Sequence, residues 1–118
     1  MTNLISFDID GTLESGDPPG IITMDMVRLV KNEGYIIGSC SDRPIGTQEN
    51  MWKTNDINVD FTVLKHQLCS VKTTFKADNY YHIGDTYMDE FYAQRAGFEF
   101  IPVDTIPQSQ VWPPGMFP

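Results

Sequence analysis

The chain has 118 residues, 41% hydrophobic and 20% charged, which is enough for one globular domain with a single core and too little for two. Its 16 acidic and 8 basic residues give a formal net charge of −8, which argues against nucleic acid as a partner. No apolar run approaches the roughly 20 residues that a membrane helix needs, and the N-terminus lacks the pattern of a signal peptide. We therefore expect a cytoplasmic protein without a membrane partner, in which Cys40 and Cys69 are reduced thiols in or near the core.

Strand-like and helix-like segments alternate along the chain, which predicts an α/β fold with a parallel sheet. We predict five strands, at residues 4–7, 35–40, 61–64, 80–83 and 98–101. Between the first two strands lie a turn-rich segment at 14–20 and a helix that is capped by Thr23 and ended by Gly34, and a short helix follows Pro44. Two further helices are predicted, one through Leu68, Val71 and Phe75, and one through Met88, Phe91, Tyr92 and Ala96 that Gly97 closes. Leu29 is expected on the apolar side of the first helix, among Met26, Val27 and Val30.

The C-terminal end has a different composition. We divide the chain into a core at residues 1–104 and a Pro-rich tail at residues 105–118. From Pro107 onwards, four prolines exclude a regular helix or a central strand. Because aromatic side chains gain free energy on burial, the hydrophobic residues of the tail predict packing on the domain or on a neighbouring subunit. These residues are Val111, Trp112, Met116 and Phe117. The alternative is a frayed terminus.

Two short patterns carry paired aspartates. Asp8 and Asp10 lie in F-D-I-D-G-T-L, and Asp85 and Asp89 lie in I-G-D-T-Y-M-D, each pair after a short apolar run. A carboxylate at the edge of a core costs stability unless it is compensated, so two such pairs suggest a shared cation. With Mg²⁺ between them, Asp8 becomes a nucleophile toward phosphorus. Ligands of parallel sheets bind beyond the carboxyl ends of the strands, which is where these pairs are predicted to lie.

Together these segments resemble the haloacid dehalogenase superfamily, in its Mg²⁺-dependent phosphatase branch, over residues 3–103. F-D-I-D-G-T-L matches the first motif of the family, C-S-D-R-P the second, Lys65 or a neighbour the third and G-D-T-Y-M-D the fourth. The resemblance implies a three-layer, doubly wound, Rossmann-like fold with a five-stranded parallel sheet. Since residues 11–23 form only a short flap and residues 42–59 have room for one helix and a loop, we expect no cap domain.

The resemblance also implies roles for the aspartates. Asp8 would attack phosphorus and form an aspartyl-phosphate, while Asp10 would protonate the leaving oxygen and then activate water. Asp8, the backbone carbonyl of Asp10 and Asp85 would be the protein ligands of Mg²⁺, with Asp89 acting through water or hydrogen bonds. The alternative for Asp85 and Asp89 is a capping role in the first turn of a helix.

Four residues are expected to shape the phosphate and substrate site. Gly11 permits a tight backbone, and Thr12 either braces that loop by hydrogen bonding or is an ordinary turn residue. Ser41 would hold phosphate oxygens at a helix start or simply cap the helix. Arg43 would either grip a second anionic group of the substrate or pair with Asp42. The family often has Gly at the position of Asp42, which leaves the local substrate contacts open.

The phosphate-binding cation is predicted to be Lys65, because it directly follows the third predicted strand. Its competitors, Lys72 and Lys76, fall along the following helix, where we expect surface positions. His82 lies within the fourth predicted strand, where a histidine is more often a hydrogen-bonded core residue than a catalyst.

The sequence thus predicts a Mg²⁺-dependent phosphomonoesterase that acts on a phosphorylated substrate. In this family an uncapped site accompanies larger substrates, or a lid supplied by an oligomer partner or a tail, so a homo-oligomer is one expectation. A phosphotransferase with the same intermediate is one alternative, although it must exclude water. A non-catalytic module that binds a phosphorylated ligand is the other.

Overall fold

The computed structural model describes residues 1–108 and 112–114 and has the predicted alternating architecture. Its elements are β1 (Asn3–Phe7), α1 (Met24–Asn32), β2 (Ile36–Ser41), α2 (Ile45–Thr54), β3 (Phe61–Leu64), α3 (Leu68–Thr74), β4 (Asn79–Gly84), α4 (Tyr87–Ala96) and β5 (Glu99–Pro102), with short 3-10 helices at Lys65–Gln67 and Val103–Gln108. All five strands are parallel and are ordered β3-β2-β1-β4-β5. The prediction of an α/β fold with a five-stranded parallel sheet is confirmed. None of the described helices has the length and apolar character needed to cross a membrane.

β1 is the central strand, and all five of its residues are buried. Its side chains alternate between the two faces of the sheet. Ile5 and Phe7 pack with residues of α1 and α2, whereas Leu4 packs with residues of α3 and α4. Two helices therefore cover each face of the sheet. The winding direction reverses between β1 and β4, which is where ligands bind in open parallel sheets.

Local capping explains where the helices begin and end. The Thr23 hydroxyl accepts a hydrogen bond from the Met26 N–H at 3.1 Å and so caps α1, as predicted. Gly34 follows α1 with a φ of +90°, and Gly97 closes α4 with a φ of +79°. Both glycines have the left-handed conformation that helix C-termini favour.

Two burial predictions are wrong. Leu29 is exposed because α1 turns Met24, Val27 and Val30 to the core, a stripe that does not include position 29. Cys69 is also exposed, since its neighbour Leu68 occupies the inward position of α3, whereas Cys40 is buried as predicted.

Part of the C-terminal tail packs on the domain. The Trp112 side chain is half-buried against the core, and its Nε1 donates to the Met26 carbonyl at 3.2 Å. The Tyr35 hydroxyl donates to the carbonyl of Pro114. The predicted packing is therefore seen for Trp112, whereas Val111, Met116 and Phe117 lie outside the described residues.

Candidate active site

The carboxyl ends of β1 to β4 meet around one cleft of about 190 Å³. Its lining residues come from the ends of these strands and the loops that follow them: Asp8, Asp10, Pro18, Ser41, Asp42, Lys65, Asp85 and Thr86. The structure therefore brings together residues of all four sequence motifs.

Three carboxylates form a compact cluster at this cleft, which Asp8 and Asp85 line, while Asp89 is fully buried next to them. One oxygen of each of Asp8, Asp85 and Asp89 lies within 4.8 Å of the other two. Asp8 is only 4% exposed, and burial, the Asp89 charge and a hydrogen bond with Asp85 raise the pKa of its carboxyl group. The charge of Lys65 lowers this pKa but does not offset the rise, so positive charge is in short supply at Asp8. An oxygen-only donor set with this shortage fits a hard divalent cation such as Mg²⁺.

Gly11 allows the carboxylate cluster to form. It has a φ of +76°, and a Cβ atom built there would lie 2.0 Å from Oδ2 of Asp85. The prediction of a tight backbone at Gly11 is confirmed, and the structure adds the reason that a side chain would displace Asp85. The Gly11 N–H also donates to the Pro18 carbonyl at 2.7 Å, which joins the start of the flap to its later part.

The predicted hydrogen bond from the Thr12 side chain is wrong. Its hydroxyl is buried and has no hydrogen-bond partner among the described residues. The loop is instead braced through main-chain groups, because the Thr12 N–H donates to Ile9 at 3.1 Å and the Thr12 carbonyl accepts from Ile22 at 3.0 Å. Thr12 does not line the cleft, so its role here is in the backbone of the flap.

Asp89 caps a helix and also faces the nucleophile candidate. Its Oδ2 accepts from the Thr86 N–H at 3.2 Å and hydroxyl at 3.0 Å, at the start of α4. Its Oδ1 lies 3.1 Å from Nε2 of His82 and 3.5 Å from Nζ of Lys65. Burial alone would raise the pKa of Asp89, but these hydrogen bonds and nearby positive charges hold it below its usual value. The two roles considered for Asp89 are therefore compatible.

Lys65 is the lysine that reaches the cleft. Its side chain is 10% exposed, and Nζ lies 3.5 Å from a carboxylate oxygen of Asp42. Burial alone would lower the pKa of Lys65, but the charges of Asp8, Asp89 and Asp42 raise it, so the ammonium form is favoured. In contrast, Lys72 donates to the Gly97 carbonyl at 3.1 Å and lies over the ring of Tyr80. The predicted position of Lys65 at the rim is confirmed.

Arg43 pairs with a residue that sequence reasoning did not consider. Its Nη2 and Nε lie 2.6 and 3.2 Å from the two carboxylate oxygens of Asp10. The proposed pairing of Arg43 with Asp42 is wrong, because Asp42 approaches Lys65 instead. The Asp17 N–H also donates to Asp10 at 2.7 Å. Burial raises the pKa of Asp10, but the hydrogen bonds from Arg43 and Asp17 lower it overall, and its carboxylate lies outside the three-carboxylate cluster.

A buried polar network supports the loop after β2. The Ser41 hydroxyl accepts from the Arg43 N–H at 3.1 Å, so it braces this loop instead of capping α2. Below it, the fully buried Gln48 accepts from the Ser39 hydroxyl at 2.7 Å and donates to the carbonyls of Arg43 and Val63. Sequence reasoning missed Gln48, for which the only signal was a polar residue on the helix side that also carries Met51 and Trp52.

Cavity volume alone does not identify the site. A larger cleft of about 460 Å³ lies beside the segment that leads into β3, where Asp56, Asp60 and Thr62 are among its lining residues. No cluster of potential metal ligands occurs there among the described residues. Chemistry, and not size, therefore favours the smaller cleft.

Comparison with known proteins adds no relative to this picture. No family model matches the chain, and no curated protein is significantly similar to it in sequence. The functional interpretation therefore depends on the geometry of the cleft and on the motifs themselves.

Proposed function

We propose that this chain is a Mg²⁺-dependent phosphatase of the haloacid dehalogenase type, which hydrolyses phosphomonoesters through an aspartyl-phosphate on Asp8. The observation that supports this proposal most strongly is the convergence of Asp8, Asp85, Asp89 and Lys65 at the carboxyl ends of the sheet. A buried carboxylate beside two other carboxylates and an ammonium group is costly for the fold, which favours a functional reason for the cluster.

The carboxylate cluster provides the donors for the cation. Asp8, Asp85 and Asp89 would hold Mg²⁺, with the Asp10 carbonyl as the further ligand that the family resemblance implies. When bound, the ion would neutralise carboxylate charge and polarise the phosphoryl group. A partly hydrated Mg²⁺ suits this site because Asp85 is exposed to solvent while Asp8 and Asp89 are buried.

The chemical steps are assigned to side chains of the cleft. A carboxylate oxygen of Asp8 forms a bond to phosphorus as the bond to the leaving oxygen breaks, while Lys65 and Ser41 hold the phosphoryl oxygens. Asp10 gives a proton to the leaving oxygen and then accepts one from the water that cleaves the aspartyl-phosphate, which releases inorganic phosphate. Because Arg43 and the Asp17 N–H hold Asp10 as an ionised carboxylate, substrate binding must loosen this pair so that Asp10 takes up a proton from solvent before it acts as the acid.

The cleft has no cap domain over it in this proposal. The flap at residues 11–23 closes on itself through main-chain hydrogen bonds of Ile22 with Thr12 and Glu14, and residues 42–59 contain only α2 and its loops. The leaving group of the substrate would then project into solvent, which suits larger phosphorylated molecules or a lid from a second copy of the chain. A phosphotransferase is less consistent with this openness, since water would reach the intermediate.

The proposal is tested by assaying a panel of phosphate esters with Mg²⁺ and with EDTA. We expect turnover only with Mg²⁺, and its loss in Asp8→Asn, whose amide is similar in size but is not nucleophilic. Asp25→Asn, at a 91%-exposed side chain on α1, serves as the control and should retain full activity. Turnover near the wild-type level in Asp8→Asn, or equal turnover in EDTA, would show that the proposal is wrong.

A further inference from the structure

A chain of buried hydrogen bonds lies beneath the carboxylate cluster. Ser6 of β1 and His82 of β4 are directly opposite each other in the sheet, and both are fully buried. The Ser6 hydroxyl lies 2.9 Å from Nδ1 of His82, and Nε2 of the same ring lies 3.1 Å from Oδ1 of Asp89. Both nitrogens of the imidazole therefore have hydrogen-bond partners, Nδ1 with Ser6 of the sheet and Nε2 with Asp89 of the site.

The chemistry of the groups defines one end of this chain. An ionised carboxylate only accepts hydrogen bonds, so Nε2 of His82 must donate to Asp89. A hydroxyl can both donate and accept, so Ser6 can pair with Nδ1 whether or not that nitrogen carries a proton. Ser6 thus holds the ring in the orientation that presents the Nε2 N–H to the site, in the way that a second partner orients a histidine ring at many metal centres.

The position of Asp89 is also defined from its other sides. A Cβ atom at position 84 would lie 2.4 Å from Cγ of Asp89, so the carboxylate packs directly on the Gly84 backbone. Thr86 binds Oδ2 while Lys65 approaches Oδ1. With His82, these contacts hold Asp89 where it approaches both Asp8 and the ammonium group of Lys65.

We propose that Ser6 and His82 are positioning residues, which fix the Asp89 carboxylate so that it completes the cation site and orients Lys65. This inference depends on the proposed function only in treating the cluster of Asp8, Asp85 and Asp89 as the site of a divalent cation. Neither Ser6 nor His82 lines the cleft, so they act through Asp89.

The contributions of the two ring nitrogens of His82 can be distinguished by substitution. In His82→Gln the amide nitrogen can take the place of Nε2 and still donate to Asp89, whereas in His82→Asn the shorter side chain reaches only toward Ser6. We expect Mg²⁺ affinity, measured by calorimetry and by Mg²⁺-dependent thermal stabilisation, to fall on the order of 10- to 100-fold in His82→Asn. His82→Gln should stay within about threefold of the wild type, because the donor is retained.

A second pair of variants makes a smaller change to the core. Ser6→Ala and Ser39→Ala each remove one fully buried strand hydroxyl. The Ser6 hydroxyl is bonded to the His82 ring, whereas the Ser39 hydroxyl is bonded to Gln48 and Trp52, a network that does not include Asp89. Both should lower stability, and only Ser6→Ala should weaken Mg²⁺ binding, by roughly 3- to 10-fold.

The outcomes separate this inference from the proposed function. Equal Mg²⁺ affinity in Ser6→Ala and Ser39→Ala, equal affinity in the two His82 variants, or a wild type that binds no divalent cation would each overturn it. If the wild type binds Mg²⁺ with the expected variant pattern but hydrolyses no phosphate ester, the positioning role stands and the phosphatase proposal fails.

Discussion

Replacing Gly11 by Ala should weaken cation binding in a way that can be measured separately from its effect on the stability of the fold. The new Cβ atom would overlap the Asp85 carboxylate, with distances of 2.0 Å to Oδ2 and 2.6 Å to Cγ. Asp85 is exposed, so its carboxylate can rotate away at little cost to folding. In doing so its oxygen would move away from those of Asp8 and Asp89, which now lie within 4.8 Å of it.

The chain contains a matched control for the backbone strain. Gly34 has a φ of +90°, comparable with +76° at Gly11, but a Cβ atom at Gly34 meets nothing within 4 Å. In both positions Ala would be forced into the left-handed region, at a cost of about 1–2 kcal/mol in the free energy of unfolding. Each variant should therefore melt about 4 to 8 °C lower per kcal/mol lost. Only Gly11→Ala should also bind Mg²⁺ more weakly, by about tenfold or more, which is about 1.4 kcal/mol.

The assay compares the two variants with and without the ion. Urea unfolding in EDTA measures the strain, and a Mg²⁺ titration of the melting temperature measures the affinity. Similar losses of stability with a weakened Mg²⁺ response only in Gly11→Ala would support the assignment of Asp85 as a ligand. Unchanged Mg²⁺ affinity in Gly11→Ala, or an equal loss in Gly34→Ala, would refute this reasoning.

Three further predictions follow from the site and the tail. Since the pKa of Asp8 is raised in the folded state, the metal-free protein keeps a proton there that the unfolded chain loses, so its stability should fall as pH rises from about 4 toward the raised pKa. Urea unfolding in EDTA near pH 5 and pH 8 measures this loss, and a similar pH dependence in Asp8→Asn would contradict it. Lys65→Ala should lower turnover and phosphate affinity on the order of 100-fold, while Lys72→Ala should leave steady-state kinetics unchanged; a sensitive Lys72 would place the phosphate-binding cation elsewhere. Deletion of residues 108–118 removes the half-buried Trp112 and its hydrogen bond to Met26, so the melting temperature should fall, and an unchanged melting temperature would show that this packing adds nothing.

The order of elements and the location of the cleft could be predicted because both depend on local sequence pattern. Each strand is a short apolar run, and a parallel sheet places the residue after each run on the same edge. Asp8, Ser41, Lys65 and Asp85 therefore come together for a reason that is already present in the sequence. Helix ends at Thr23 and Gly97 were equally accessible, since capping depends on one residue and its neighbours.

The partners of side chains at the site were harder to predict. Arg43 and Lys65 have long, flexible side chains with several aspartates within reach. The spacing of these residues along the sequence does not show which aspartate is nearest to each of them in the folded chain. His82 was correctly expected in the core, but its contact with Asp89 depends on how α4 starts after β4. Leu29 was placed on the wrong side of its helix because α1 has more apolar residues than positions that face the core.

The order of the strands has a consequence for local unfolding. β1 exchanges hydrogen bonds with neighbours on both sides, whereas β3 and β5 are the two edges of the sheet. Amide protons of β1 should therefore exchange with solvent only in global openings, while those of the edges exchange in smaller and more frequent ones. Because Lys65 follows the edge strand β3, a fraying event there would withdraw the ammonium group and leave Asp8 in place between its two neighbouring strands.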